Sequence, residues 1–413
     1  MKPSPLNLGV IGLGRHGGRY VRHLLADVPE ARLTAVCRRN LGAGTGVPDG
    51  IEVAVYQDYR RLIADPRVDA VVVVTPPTLN REICLAAAAA GKPFLVEKPL
   101  AVTVEDAEAI VSAAEQSSLL AMTAQTLRFD SAIQAAMQQR QTVGALQYLS
   151  LASRMEPSSG EVAGFDGRGC LLEIGVHLLD LVRLVTEDEV AGLSCEMDVV
   201  PPEGPERRVF GRLLTGRGIP CLFEVSRVSS GRVGRLELIG TEGQVTADWC
   251  GHRVTRHAAG LVPTDEPTGA APTLIATLRA FVQAVRTGTP PPITLRDGLR
   301  AVAIAEACYR SARQAGRPIP LTSRCDPALG LRDDVGVGFL HPFDRMDAGD
   351  HDVRERPFIG HVDEDEDVRL SEAGIGLLDS GNALERLQHG LGLPSLHLDQ
   401  NVRFGGHVVS SCS

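Results

Sequence analysis

Residues 6–27 constrain this chain more than any other stretch. Leu6-Asn-Leu-Gly-Val-Ile11 has the character of a short apolar strand, and Gly12-Leu-Gly14-Arg-His-Gly17 follows it at once. Arg19 to Asp27 then places Tyr20, Val21, Leu24 and Leu25 at helical spacing. Strand, G-x-G-x-x-G and helix in that order form the context of a dinucleotide-binding turn. Gly12 permits the tight turn, Gly14 lets the main chain approach a pyrophosphate, and Gly17 lets helix and strand pack closely. The helix N-terminus offers N–H donors to the phosphates, with Arg15 and His16 beside them.

A second strand, Arg32 to Cys37, ends in Arg38-Arg39-Asn40. An acidic residue about 20 positions past the glycines would hold the ribose 2′-hydroxyl of NAD. Two guanidinium groups suit a 2′-phosphate instead. Arg38 and Arg39 therefore make NADP(H) the expected cofactor and NAD(H) the alternative. The competing reading is two exposed arginines that open a solvated loop.

Strands and helices continue to alternate. Gln57–Ala64 is expected as a helix and Val68–Val74 as a buried strand, broken at its end by Thr75-Pro76-Pro77. The apolar helix Ile83–Ala90 leads into a strand at Pro93–Val96, which runs straight into Glu97-Lys98-Pro99. Thr103-Val-Glu-Asp106 caps another helix, and Leu119–Thr123 forms a further strand. After residue 130 come a helix at Ser131–Gln141, a strand at Leu146–Ser153 and several alternating runs between residues 190 and 256. Helices at Pro272–Thr287 and Leu295–Gln314 close the body. The fold class is α/β: an N-terminal Rossmann doubly wound parallel sheet, then a C-terminal α+β domain with an open, mostly antiparallel sheet. The expected boundaries are 1–125 for the nucleotide-binding part, 126–324 for the substrate and oligomerisation part, and 325–413 for an acidic, disordered tail.

Two clusters carry chemistry. The chain has 42 Lys plus Arg, yet only Lys2, Lys92 and Lys98 are lysines. Where a positive charge suffices the protein uses Arg, and a compact ammonium of adjustable pKa is a different tool. Lys98 sits where a strand would deliver it to the carboxyl edge of the sheet, the edge at which open α/β sheets bind ligands. The second cluster lies on a helix expected at Cys170–Val185, where Glu173, His177 and Asp180 fall at spacings of four and three and share one face. A carboxylate one turn from an imidazole can fix its tautomer and support its protonated form, which suits a general acid–base. A surface or capping network is the competing reading.

Composition excludes other classes. Residues 325–413 hold 17 Asp and Glu against 7 Arg, which leaves 34 acidic and 35 basic residues in 1–324. A nearly neutral body has no basic stripe for nucleic acid. The nine cysteines form no C-x-x-C pair or zinc spacing, so no metal site is expected, and a reducing compartment fits them. No apolar run is long enough to span a bilayer, and Met1 to Leu6, which lead directly into a strand, are not expected to act as a signal peptide. A cytoplasmic protein with no membrane partner is expected. The tail contains Asp363-Glu-Asp-Glu-Asp367 and six of the eleven histidines. A helix there at 372–391 is the one element expected.

With these residues in view, the chain resembles the Gfo/Idh/MocA family of NAD(P)-dependent oxidoreductases over about residues 5–322. The resemblance rests on Gly12-x-Gly14-x-x-Gly17, Thr75-Pro76, Ala90-Gly91-Lys92 with Glu97-Lys98-Pro99, Arg128-Phe129, and Glu173-x-Gly175-x-His177-x-x-Asp180. It implies cofactor contacts at Thr75, Pro76 and Glu97 besides the glycine turn. It also implies a catalytic Lys98, followed by a proline often found cis, and a catalytic His177. Lys98, Arg128 and His177 are then the substrate residues, Glu173 or Asp180 orients His177, and copies join as a homodimer or homotetramer through the C-terminal sheet. Three positions depart from the family pattern. Glu173 stands where Asp is usual, Asn80 where His is usual, which bears on substrate or cofactor fit, and Arg38 where an acidic residue is common. The expected activity is hydride transfer between nicotinamide and a secondary alcohol or carbonyl of a sugar, polyol or similar small molecule, read by loops near residues 155–170. The alternative is a catalytically silent NADP-binding sensor. A methyltransferase would leave Lys98 and His177 unexplained.

Overall fold

The computed structural model describes residues 4–40, 44, 46–48, 50–157 and 165–321. The acidic stretch 325–413, its expected helix and residues 158–164 of the expected substrate loop lie outside these. The chain begins with β1 (Leu6–Ile11), α1 (Arg15–Ala26), β2 (Ala31–Cys37), β3 (Ala54–Tyr56) and α2 (Tyr59–Ile63). It continues with β4 (Ala70–Val73), α3 (Asn80–Ala89), β5 (Phe94–Glu97), α4 (Val104–Gln116) and β6 (Ala121–Ala124). These six strands form one parallel sheet in the order β3-β2-β1-β4-β5-β6. The order reverses between β1 and β4, so a crevice opens at their carboxyl ends, where such sheets bind dinucleotides. β4, β5 and β6 are buried at every residue, as strands covered on both faces must be.

The second half has α5 (Ser131–Gln139), β7 (Leu146–Arg154), a π-helical turn at Leu171–Gly175 and α6 (Val176–Thr186). Then come β8 (Val190–Met197), β9 (Arg208–Thr215), β10 (Pro220–Ser226), β11 (Val233–Gly240), β12 (Gly243–Asp248), β13 (Arg253–Ala258) and β14 (Thr264–Pro267). α7 (Thr273–Thr287), α8 (Leu295–Arg313) and β15 (Ile319–Pro320) end the described chain. The nine strands lie in the order β14-β13-β12-β11-β7-β10-β9-β8-β15. Among these pairs only β7 and β10 run parallel, so the expected mostly antiparallel sheet is present. One face covers an apolar core with α6. The other exposes Tyr148, Phe210 and Leu222.

Some differences from expectation have local causes. The helix expected at 57–64 shrinks to α2 and is preceded by β3, an edge strand of three residues with too few side chains to show a period. β14 is exposed throughout, so no apolar alternation marks it. α7 returns to the first sheet, where Leu274, Leu278 and Phe281 pack with Leu8, Val10 and Tyr20. α8 serves both halves: Leu295, Leu299 and Val302 join the core of the first sheet, and Ala301, Ala305 and Cys308 that of the second. No described helix is long and apolar enough to cross a membrane.

Candidate active site

The nucleotide end is built by the glycine turn. Gly12 adopts φ +97°, and a Cβ there would lie 2.2 Å from the Val74 carbonyl oxygen at the end of β4. At Gly17 a Cβ would lie 2.0 Å from the Gly12 oxygen, so helix and strand meet as the sequence suggests. Gly14 differs: a Cβ would meet nothing within 4 Å. No side chain caps α1 and its first turn holds no acid. Open space before an uncapped helix N-terminus is what a pyrophosphate needs, so the residues present fit a dinucleotide. A cavity of about 630 Å³ adjoins, lined among others by Gly14, Arg15, Arg22, Arg38 and Pro48. Arg38 donates to the Gly44 carbonyl at 2.6 Å, and Arg39 is exposed. Arg22 is absent from the sequence reading, although its i+7 spacing from Arg15 along α1 is a legible sign.

The turn after β5 is fixed from several sides. Glu97 is 6% exposed. Its Oε1 accepts from Tyr20 at 2.6 Å and pairs with His16 Nε2 at 2.7 Å, while Oε2 accepts from the Lys98 N–H at 3.0 Å. Burial alone would raise the Glu97 pKa, but the His16 and Tyr20 bonds and the Lys98 charge hold it below the usual value. Thus His16 and Glu97 bond each other. The Lys98–Pro99 peptide is cis. Asn80 is 1% exposed and donates to the carbonyls of Pro99 and Leu100 at 3.1 and 3.2 Å, while accepting from Thr75 at 3.0 Å. The structure therefore shows Asn80 clamping the main chain of the Lys98 turn, where the sequence suggested substrate or cofactor fit. Lys92 is likewise spent on main chain, donating to the carbonyls of Asp65 and Val68.

Lys98 reaches across to the second half, where Nζ donates to the Glu173 main-chain carbonyl at 2.5 Å. Burial pushes its pKa down against the opposing pull of Glu97 and Glu173, and Arg227 adds to the lowering. Glu173 lies on the π-helical turn, a motif found often at functional sites. A Cβ on Gly175 would come 3.3 Å from Val225, so this glycine lets the turn sit close against β10.

His177 follows on α6, but neither neighbouring acid touches it. Glu173 gives both carboxylate oxygens to Arg227, with Nε at 2.5 Å. Asp180 accepts from Arg128 Nε at 2.6 Å and Nη2 at 2.5 Å. The expected carboxylate-to-imidazole bond is thus absent, because a guanidinium offers a planar charged fork that a neutral ring cannot match. His177 Nδ1 is buried without a partner among the described residues. Burial, then Lys98 and His16, push the His177 pKa well below 6.5. The imidazole therefore rests neutral, not protonated as a neighbouring carboxylate would make it.

Arg128, expected at the substrate, is part of a buried network. Its Nη2 also lies 3.1 Å from Asp297, which in turn pairs with Arg183 at 3.0 Å. Burial works against the Asp297 charge, yet Arg128, the Thr294 N–H and Arg183 hold its pKa to about 2. Glu206, also unforeseen, is 1% exposed and accepts from Gly169 N at 2.8 Å, Leu171 N at 3.0 Å and Tyr309 at 2.8 Å. It fixes the start of the turn that carries Glu173.

Comparison with known proteins defines the class to which this fold and site belong. Residues 6–125 match the model of the oxidoreductase family with an NAD-binding Rossmann fold, and residues 136–246 match the GFO/IDH/MocA C-terminal domain. The chain belongs to the Gfo/Idh/MocA family and is an oxidoreductase with an NAD(P)-binding Rossmann fold. It is 30% identical over 334 residues to inositol 2-dehydrogenase 1 of Saccharopolyspora erythraea, covering 78% of this chain and 98% of that one. It is 27% identical to scyllo-inositol 2-dehydrogenase (NAD(+)) of Bacillus subtilis, covering 76% and 95%. Among solved structures, aldose-aldose oxidoreductase from Caulobacter crescentus, complexed with glycerol, superposes with a TM-score of 0.67 at 25% identity, covering 77% and 100%.

Proposed function

We propose that this oxidoreductase acts on CH–OH groups, transferring a hydride between a secondary hydroxyl carbon of a sugar or polyol and NADP(H), with NAD(H) the weaker cofactor. The relatives named for inositol support cyclic polyols as the first substrates to try. One relative's name carries NAD(+), so the NADP preference rests on this chain's own Arg15, Arg22 and Arg38 around one cavity. Exposed Arg39, next in the chain after Arg38, is a further cofactor contact of this reading. Thr75 and Pro76, just after β4, would be further contacts for the bound dinucleotide.

The observation that carries the reading is the anchoring of the Lys98 ammonium on the Glu173 carbonyl, one turn ahead of His177. When bound, the nicotinamide supplies the acceptor or donor of the hydride. His177, neutral at rest, takes the hydroxyl proton in the oxidative direction and returns it in the reverse. Lys98 donates a hydrogen bond to the same oxygen as negative charge develops there, a role for a preorganised donor. Proton transfer of this kind contributes roughly 10²–10⁴-fold. Arg128 and Asp180 act through α6, whose position they fix, and Glu173 through its carbonyl.

The test is turnover with a panel of cyclitols, aldoses and polyols against NADP⁺ and NAD⁺, with Lys98→Met and His177→Ala beside the wild type. Both variants are expected to lose turnover by at least about 100-fold while binding NADPH as the wild type does. Full activity in both would overturn the assignment, and binding without turnover across the panel would favour a sensor. The outer face of the second sheet, where Phe210 and Leu222 flank the Arg154–Glu224 pair, supports joining of copies as a dimer or tetramer, which light scattering would measure.

A further inference from the structure

Arg227 follows β10 in the chain, and its main chain continues that strand's pairing through a bond from its N–H to the Arg207 carbonyl at 2.8 Å. Its guanidinium holds both oxygens of Glu173 and reaches the Glu156 carbonyl at 3.3 Å. The Glu173 residue so held is the one whose main-chain carbonyl receives Lys98. One residue thus presents Lys98 with a neutral acceptor, while its charged acceptor is tied up elsewhere.

We propose that Arg227 is a positioning residue for Lys98: it holds the Glu173 carboxylate off the ammonium, so that Lys98 is anchored by a main-chain carbonyl alone and keeps its other N–H groups for the substrate oxygen. This rests on the reading of Lys98 as the substrate-facing donor. A carboxylate bonded to Lys98 would compete with that oxygen for the same protons. It would also stabilise the ammonium before the reaction as well as during it, which adds nothing to the rate. A guanidinium fork prevents this because it satisfies both carboxylate oxygens at once. The charged and titratable groups around Lys98 are Glu97 at the end of β5, Glu173 on the π turn, Arg227 after β10 and His177 on α6.

The test does not require the substrate. The chain has three lysines, Lys2, Lys92 and Lys98, so lysine labelled with ¹³C at Cε gives three side-chain signals. Lys98→Met assigns the one of interest. The full-length protein is titrated in the presence and absence of NADPH. With Arg227→Ala, Glu173 is released toward Lys98 and the Lys98 midpoint is expected to rise by about one pH unit. With Glu173→Gln, Arg227 is left uncompensated and the midpoint is expected to fall. The double variant is expected to return close to the wild type, and Arg227→Lys to lie between wild type and Arg227→Ala. NADPH titration and melting curves on each variant show that the fold is kept, and Arg227→Lys carries the test if Arg227→Ala fails to fold.

A Lys98 midpoint unmoved by Arg227→Ala and Arg227→Lys would overturn the proposal. So would shifts of the same sign in Arg227→Ala and Glu173→Gln. The parent reading fails separately, by full turnover in Lys98→Met.

Discussion

Replacing Arg128 by Met should destabilise the protein by about 3–5 kcal/mol, the usual cost of breaking a buried ion pair from one side. Arg128 donates twice to Asp180, at 2.5 and 2.6 Å, and the Asp180 side chain is only 2% exposed. Without the guanidinium that carboxylate has no cation in direct contact, while Asp297 keeps Arg183 at 3.0 Å. Unfolding entropy of about 2.1 cal/mol/K per residue, over the roughly 310 described residues, gives about 0.65 kcal/mol/K, so the melting temperature should fall by about 5–8 °C. Arg128→Met combined with Asp180→Leu removes the orphaned charge and should recover most of the loss. Calorimetry on the three proteins measures this, with substrate KM beside it. A single variant that melts within about 1 °C of the wild type but shows a raised KM would refute the reasoning. Arg128 would then be a substrate residue, as its sequence context suggests.

Other consequences are as direct. Gly14→Ala should leave the melting temperature unchanged, since its Cβ meets nothing within 4 Å, yet weaken NADPH binding by filling the space before α1; an unchanged Kd would refute the pyrophosphate placement. Arg38→Ala should weaken NADPH by roughly 10- to 150-fold, the 1.5–3 kcal/mol of a charge-assisted hydrogen bond, and NADH little; equal losses would count against a 2′-phosphate contact. Burial, with Lys98 and His16, puts the folded pKa of His177 below its unfolded value of 6.5. The unfolded chain therefore takes the proton first, and this contribution to stability is whole above pH 6.5. Below that it is lost at up to about 1.4 kcal/mol per pH unit until the folded ring titrates. Melting temperature should therefore fall more steeply from pH 6.5 to 5 in the wild type than in His177→Asn; equal slopes would refute the depressed pKa.

The fold was legible wherever one strong local pattern decided the outcome. The glycine turn needs Gly12 and Gly17 for contacts made within a few residues or against the adjacent strand, so spacing alone identifies it. β4 and β5 are buried on both faces and announce themselves as unbroken apolar runs. β3, β14 and β15 carry no such signal because they are short or exposed. The return of α7 to the first sheet could not be read locally either. Its apolar stripe demands a partner, but a stripe does not say which sheet supplies it.

The site divides along the same line. Lys98 was legible because a rare residue stands at the end of a buried strand, and that position alone delivers it to the carboxyl edge. The carboxylates beside His177 were misread because spacing on a helix tells which groups could meet, not which meeting wins. Glu173 and Asp180 each found an arginine, 54 and 52 residues away in sequence. Arginine is the common cation of this chain, so nothing marked Arg128 or Arg227 as the partners. Their capture of both acids changes the chemistry. An imidazole bonded to a carboxylate is held toward its cationic form, whereas one left buried beside an ammonium is held neutral. On the proposed reading His177 rests in the unprotonated form that can accept an alcohol's proton, and with both carboxylates taken by arginines no acid bonded to the ring opposes the effect of burial, Lys98 and His16.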